Sequence, residues 1–177
     1  MYISYYYLRN LFLTLFIFIY SIEAVAESMP IIPKADYILV IKSERKLILY
    51  SQDTVIKEFD ISLGLAPKGA KIREGDFRTP EGRYYIESKK ESKNPDSNYF
   101  LSLKISYPNE KEASFAIKNG YSPGGLIMIH GQPNNSEFIE NEVKNWDWTD
   151  GCIAVSNSDM RYIWESVNEF IPIEIRP

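Results

Sequence analysis

Residues 37–50 have the sequence Tyr-Ile-Leu-Val-Ile-Lys-Ser-Glu-Arg-Lys-Leu-Ile-Leu-Tyr, in which two short apolar runs flank a polar turn. A third run, residues 55–63, follows a second turn and places most of its apolar side chains on one face. Aliphatic and β-branched runs of this length, bounded by turn residues, are typical of β-strands. Their regular spacing predicts a three-stranded meander, which indicates a mainly β domain.

Further strands and two helices are predicted downstream of this meander. Gly, Pro and charged residues make 64–82 a long loop and 87–97 a solvated loop. The predicted strands are 83–86, 99–105, 126–129, a short apolar run after Cys152, and 171–175. Helical spacing of apolar residues predicts short helices over 136–145 and 158–169. The predicted fold class is therefore mainly β, a β-rich α+β single domain with two short helices near its C-terminal third.

The N-terminus has the pattern of a secretory signal. Arg9 precedes an apolar run over 11–20, and Ala24-Val25-Ala26 offers small residues for cleavage. A membrane-spanning helix needs roughly 20 apolar residues, about twice this run, so an uncleaved anchor is the less favoured alternative. We expect a signal peptide at 1–26, a lead-in at 27–35, and no stable membrane insertion after cleavage. The predicted location is the periplasm or cell envelope of the exporting cell.

The composition excludes several classes of function. The net charge of the 177 residues is −4, which argues against a nucleic-acid-binding protein, since such proteins normally present a basic face. The single Cys permits no intrachain disulfide, and the single His disfavours a metal site built from His and Cys. We therefore expect no metal, and the surroundings of these two residues become the central question.

His130 and Cys152 are the candidates for chemistry. His130 ends an apolar strand just before Gly131, and Cys152 follows Gly151 at the start of another apolar run. A thiolate is a strong nucleophile, and an imidazole can take the thiol proton and return it to a leaving amine. Gly151 allows backbone N–H groups near Cys152 to face a substrate carbonyl. The alternatives, a buried structural Cys and a hydrogen-bonded structural His, stay open on composition and spacing alone.

These residues resemble the signature of the L,D-transpeptidases with a YkuD-type catalytic domain. In that family a His-Gly pair is followed, after a variable loop, by Ser or Thr, one further residue, and Gly-Cys; here the two parts are 129–131 and 149–153. Residues 75–86 resemble the family's Thr-Pro-x-Gly-x-Phe/Tyr strand, and 172–175 its last strand. The resemblance covers about 36–177, the predicted catalytic domain, and implies a YkuD-like fold of sandwich or barrel-like type.

The resemblance implies a reaction on peptidoglycan stem peptides. Cys152 would attack the carbonyl of the third stem residue, usually a diamino acid, and expel the terminal D-Ala; an amine or water would then take the acyl group. His130 would be the general base and acid, and the Gly131 carbonyl would orient its ring. The N–H groups of Gly151 and Cys152 would stabilise the oxyanion, with Thr149 positioning the loop. No metal or organic cofactor is implied, and we expect a monomer.

Two departures from the family pattern affect substrate binding. Asp150 stands where many members have His or Gln, and a carboxylate there either disfavours the thiolate or binds a substrate ammonium. Ala154 stands where many members have Arg, which puts the binding of a donor carboxylate in doubt. We name Thr149, Asp150, Tyr121 and Arg78 as candidate substrate-binding residues. Lys71 and Arg73, in the same long loop as Arg78, are expected to be mainly solvent-exposed.

Three alternatives accompany the leading hypothesis of an exported transpeptidase. A hydrolytic member of the same family, either an L,D-carboxypeptidase or an amidase, would share every step up to the acyl-enzyme. A non-catalytic cell-wall-binding module would keep the fold, but the intact motif residues argue against it. A disulfide-linked dimer through Cys152 has no support from the surrounding loop. Trp146 and Trp148 flank that loop and are expected to pack it rather than to bind glycan.

Overall fold

Eight strands and two helices lie in the part of the chain that the computed structural model describes, residues 31–93, 98–134 and 146–177. The described residues from Ile32 to Pro177 form one compact unit. The predicted signal at 1–26 and the predicted helix over 136–145 lie outside the described residues. Neither of the two described helices has the length and apolar character needed to span a bilayer.

The strands and helices follow one another in a mainly β order. The strands are β1 Tyr37–Ile41, β2 Lys46–Ser51, β3 Thr54–Asp60, β4 Gly82–Glu91, β5 Leu101–Ile105, β6 Met128–His130, β7 Ile153–Ala154 and β8 Pro172–Arg176. Helix α1, Glu110–Lys118, lies between β5 and β6, and helix α2, Asn157–Ser166, between β7 and β8. This set of strands and helices confirms the predicted mainly β fold class.

All eight strands belong to one curled sheet with the order β3-β2-β1-β8-β4-β5-β6-β7. The β1–β8 and β6–β7 pairs are parallel, and the other pairs are antiparallel. Ser62, just after edge strand β3, exchanges two backbone hydrogen bonds of 2.8 and 2.9 Å with Ala154 in the opposite edge strand β7. The two edges therefore meet, and the chain just before β7, which contains Cys152, lies at this junction.

Helix α2 packs an apolar stripe into the core of the sheet. Met160 and Ile163 are fully buried and belong to the same core cluster as Ile38, Leu49 and Ile129 of the sheet. Removing one such side chain from water contributes about 1.5–3 kcal/mol. The Ser156 side chain caps the helix by accepting the Asp159 N–H at 3.0 Å. The core thus fixes β6 and β7 side by side, with His130 at the end of β6 and Cys152 just before β7.

Two elements differ from the sequence-based expectation. Helix α1 was not predicted; a capping box between Asn109 and Glu112 begins it, and Ala116 is its only buried residue. Strand β4 continues through 87–91, which we predicted as a solvated loop. Its backbone pairs with β5 there, and Lys89 Nζ donates to the Val167 carbonyl at 2.6 Å. Backbone pairing and a side-chain anchor thus extend a strand whose composition is typical of a loop.

Candidate active site

His130 is fully buried at the end of β6, and its protonation state follows from its neighbour. The imidazole Nδ1 lies 2.7 Å from the carbonyl oxygen of Gly131. Because that oxygen can only accept, Nδ1 must carry the proton and Nε2 is the basic nitrogen. Among the described residues Nε2 has no hydrogen-bond partner. The ring therefore presents a basic nitrogen, Nε2, in a buried position.

Two aromatic side chains enclose the imidazole. The Tyr99 ring stacks on it with centroids 3.7 Å apart and an interplanar angle of 20°. The Trp148 ring meets it edge-on, at 5.7 Å and 68°. Burial lowers the pKa of His130 to about 4, and the hydrogen bond to Gly131 opposes that shift only in part. The imidazole is consequently neutral at neutral pH.

The Cys152 thiol lies beside the start of β6. Its Sγ is 3.6 Å from the carbonyl oxygen of Leu126, to which the S–H donates. Burial raises the pKa of the thiol and the negative charge of Asp150 adds to this, while a hydrogen bond from the Met128 backbone N–H and the positive charge of Lys71 act in the opposite direction. The net shift is upward, so the resting thiol is protonated. β6 and β7 are parallel, with Ile129 opposite Ile153 and His130 opposite Ala154, so Cys152, just before β7, lies beside the start of β6, two residues before the imidazole.

The loop before Cys152 is held by the hydroxyl of Thr149. Thr149 Oγ1 accepts the Gly151 N–H at 3.1 Å and donates to the Cys152 carbonyl at 2.7 Å. The Gly151 N–H, which the sequence led us to expect at the oxyanion, is thus used within the loop. Gly151 has φ 128°, and a Cβ built on it would lie 2.6 Å from the Arg78 carbonyl oxygen. Only glycine fits this position.

Replacing Thr149 with valine is expected to lower kcat/KM by about 10- to 100-fold. The isosteric methyl group removes both hydrogen bonds and leaves polar backbone groups of the loop unpaired, at about 1–3 kcal/mol each. Thr149→Ser, which keeps the hydroxyl, is the matched control and should retain most of the activity. Kinetics and thermal unfolding of both variants check this. Equal kcat/KM for the Val and Ser variants would show that the hydroxyl does not position the nucleophile.

Asp150 and Arg78 both lie near the Cys152 loop, Asp150 acting through its charge and Arg78 through its backbone. Asp150 is exposed, and its charge acts on the Cys152 thiol and also helps, after burial, to raise the pKa of the Tyr99 phenol. Arg78 contributes its backbone: the carbonyl packs on Gly151, while the guanidinium is directed along the loop, where Nη1 lies 3.4 Å from the Ala70 carbonyl oxygen. A substrate-binding role for either side chain stays a prediction.

Tyr121 and Ala154 are less directly related to the thiol. Tyr121 lies just beyond α1, where its ring contacts Phe115 with centroids 6.5 Å apart. Ala154 is 1% exposed in β7, a position in which a longer side chain would enter the packed sheet. Of the two flanking tryptophans, Trp146 is 74% exposed and Trp148 packs on His130. The structure therefore separates the two tryptophans into a surface residue and a residue of the site.

Three features of the site were not identified from the sequence. Tyr99 begins the predicted strand 99–105, and nothing in that pattern indicated a contact with His130. Leu126 has a left-handed backbone, with φ 54°, and supplies the carbonyl that meets the thiol. Lys71 is 6% exposed rather than solvated. No group of three His, Cys, Asp or Glu side chains able to hold a metal ion occurs within the described ranges.

Comparison with known proteins gives consistent results. The sequence profile of the YkuD family, described as the L,D-transpeptidase catalytic domain, matches residues 35–175. YafK of Escherichia coli K12, which carries the L,D-transpeptidase name, is 34% identical over 135 residues, covering 74% of this chain and 46% of YafK. The chain therefore spans less than half the length of this relative.

Solved structures share the fold. The helical cell shape determining protein Pgp2 of Campylobacter jejuni superposes with a TM-score of 0.60 at 26% identity, covering 81% of this chain and 48% of Pgp2. Bd1075 of Bdellovibrio bacteriovorus gives a TM-score of 0.57 at 24% identity, covering 84% of this chain and 49% of Bd1075. At that identity the second likeness concerns the fold alone.

Proposed function

This chain belongs to the L,D-transpeptidase catalytic domain family, and from that membership we propose that it is an exported cysteine acyltransferase of peptidoglycan stem peptides. The observation that carries the proposal is the register of β6 and β7, which puts the protonated Cys152 thiol two residues before a neutral, buried His130 whose Nε2 has no partner among the described residues. A nucleophile and a base in this arrangement suit acyl transfer, and no step needs a cofactor.

The first half of the proposed reaction forms a thioester. His130 Nε2 takes the S–H proton as Sγ bonds to the carbonyl carbon of the diamino acid at the third stem position. The carbonyl oxygen becomes an oxyanion, and the Cys152 N–H is the donor we assign to it, since the Gly151 N–H is used by Thr149. A single donor of this kind contributes about 3 kcal/mol to lowering the barrier. The C–N bond then breaks, and the D-Ala nitrogen leaves with the proton from Nε2.

The second half regenerates the thiol. An amine attacks the thioester carbonyl, His130 Nε2 accepts its proton, and the C–S bond breaks as the proton returns to sulfur. When the attacking group is the amine of a neighbouring stem, the product is an L,D cross-link. Water in the same place gives hydrolysis. The hydrolytic alternative, an L,D-carboxypeptidase or amidase, therefore uses the same residues and differs only in the acceptor.

Asp150 is proposed to bind an ammonium group of the substrate. Its carboxylate is exposed and close enough to the thiol to disfavour the thiolate, an electrostatic cost that a bound cation would relieve. Both the diamino acid of the donor and the amine acceptor carry such a group at neutral pH. Thr149 is proposed to act through the loop, while Arg78 and Tyr121 remain candidates for contacts with the rest of the stem peptide.

A time course with purified disaccharide tetrapeptides tests the proposed function. Full-length protein and its Cys152→Ala variant are incubated with the substrate, and the products are resolved by mass spectrometry. Dimers joined through the diamino acids, formed only with Cys152 present, are the expected result. Cys-dependent tripeptides without dimers would replace transpeptidation with hydrolysis. Absence of both, with a folded protein and a free thiol, would favour the non-catalytic wall-binding module.

A further inference from the structure

Lys71 and Asp76 form a buried ion pair in the loop between β3 and β4. Lys71 Nζ lies 2.7 Å from Asp76 Oδ1, and the two side chains are 4% and 7% exposed. Lysine and aspartate are almost never buried to this extent without a specific arrangement of partners. The reaction described above makes no use of either residue, so their burial requires a separate explanation.

Asp76 organises the backbone around it. Its Oδ2 accepts the N–H groups of Ile72 at 2.8 Å and Arg73 at 3.2 Å, and its Oδ1 also accepts the N–H of Arg78 at 3.1 Å. Burial alone would raise the pKa of Asp76, but the hydrogen bonds from Lys71 and these N–H groups hold it below its usual value. Asp76 is therefore a carboxylate at neutral pH, and it anchors Lys71 in the interior.

The pair is connected to the nucleophile by one backbone contact. The carbonyl of Arg78, whose N–H is held by Asp76, packs on Gly151 so closely that a Cβ there would lie 2.6 Å from its oxygen. Gly151 directly precedes Cys152. The positive charge of Lys71 acts on the Cys152 thiol and lowers its pKa, against burial and the charge of Asp150, which raise it.

We propose that Lys71 is a positioning residue for the nucleophile: held in place by Asp76, it keeps a buried positive charge beside the Cys152 loop that offsets the negative charge of Asp150. The charge stabilises the sulfur as it loses its proton, and Asp76 fixes the loop through Arg78. The consequence for catalysis rests on the proposed acyl transfer. The consequence for the reactivity of the thiol does not, and the two can be measured separately.

Alkylation of the thiol by iodoacetamide across pH 5–10, followed by intact mass, tests this inference. Cys152 is the only cysteine in the chain, so the first, fast addition reports on it, and Cys152→Ala measures the slow addition to amines at high pH. Lys71→Met should slow alkylation at pH 7 by about threefold or more, because a nearby charge is lost from a partly buried site. Its rate profile should move to higher pH. Lys71→Arg, which keeps the charge, should restore most of the rate.

Two further variants keep the test decisive if Lys71→Met does not fold. Lys71→Met combined with Asp76→Asn removes both charges together and should also slow alkylation. Asp76→Asn alone removes the carboxylate that holds Lys71 in place and should slow alkylation, whereas Asp150→Asn removes the opposing charge and should accelerate it. Circular dichroism confirms folding in each case. A folded double variant, or a folded Asp76→Asn variant, with the wild-type rate profile would overturn the proposal and leave the pair a purely structural one.

Because iodoacetamide needs no peptidoglycan, the alkylation result is independent of the muropeptide assay. If the alkylation profiles shift as expected while no muropeptide is converted, the proposed substrate is wrong and the role of Lys71 at the thiol stands. If muropeptides are converted and the profiles do not shift, the proposed function stands and the role of Lys71 falls. The two proposals can therefore fail separately.

Discussion

Replacing Cys152 with alanine is expected to abolish conversion of tetrapeptide substrates while leaving the fold unchanged. The chain contains no second cysteine that could take over the thioester step. Loss of the nucleophile in a covalent mechanism lowers kcat by a factor on the order of 10⁵–10⁶. The thiol makes only weak polar contacts, a long one of 3.6 Å to the Leu126 carbonyl and one with the Met128 N–H, so its removal should change the free energy of unfolding by less than about 1 kcal/mol.

Cys152→Ser is the informative companion of this variant. A hydroxyl fits the same space, but its proton is far harder to remove, and the buried imidazole is a weak base with a pKa of about 4. Serine should therefore be almost as inactive as alanine. Intact-mass measurement adds a second criterion, since only the wild-type protein should gain the mass of the donor acyl group. Activity of Cys152→Ala within tenfold of wild type would rule out the thioester mechanism.

Local sequence pattern was sufficient for the meander and for the two residues of the proposed mechanism. The run Tyr37–Ile41 is a strand with the same bounds in sequence and structure, because its side chains and flanking turns all favour one conformation. His130 and Cys152 were identified because each residue type occurs once and each stands beside a glycine at a strand end. Such signals lie within a few residues of each other and need no knowledge of tertiary contacts.

Contacts between distant segments account for what the sequence did not show. Tyr99 stacks on an imidazole 31 positions later, and nothing in the strand pattern of 99–105 indicates that partner. Lys71 lies in a segment whose composition is typical of a solvated loop. Only its ion pair with Asp76, and the hydrogen bonds that hold Asp76, explain the burial of Lys71. The hydrogen bond of the Gly151 N–H to Thr149 was not expected from the sequence for the same reason. Its direction depends on φ 128° and on the Thr149 hydroxyl, which the residue type alone does not determine.

His130→Asn is expected to lower kcat/KM by about 10²- to 10⁴-fold, the usual contribution of a positioned acid–base group. The asparagine amide can still donate to the Gly131 carbonyl, but the variant offers no nitrogen able to accept the thiol proton. The remaining rate should then depend on the small thiolate fraction and rise with pH. The smaller side chain leaves space between Tyr99 and Trp148, so thermal unfolding must accompany the kinetics.

The pH dependence of the wild-type protein separates a buried base from an exposed one. A free imidazole has a pKa of 6.5, whereas burial lowers that of His130 to about 4, so kcat/KM should fall only as the pH approaches 4. Activity falls on the acid side because the protonated imidazole cannot accept a proton from sulfur.

Tyr99→Ala exposes one face of the His130 ring, which should raise the pKa of the ring and move the acid limb of the pH profile upward, while Tyr99→Phe should leave the limb in place. An acid limb near 6.5 in the wild-type protein, or one that Tyr99→Ala does not move, would mean that the base is not this enclosed imidazole. A limb that moves with the alanine variant alone ties the base to His130, because Tyr99 stacks on that ring.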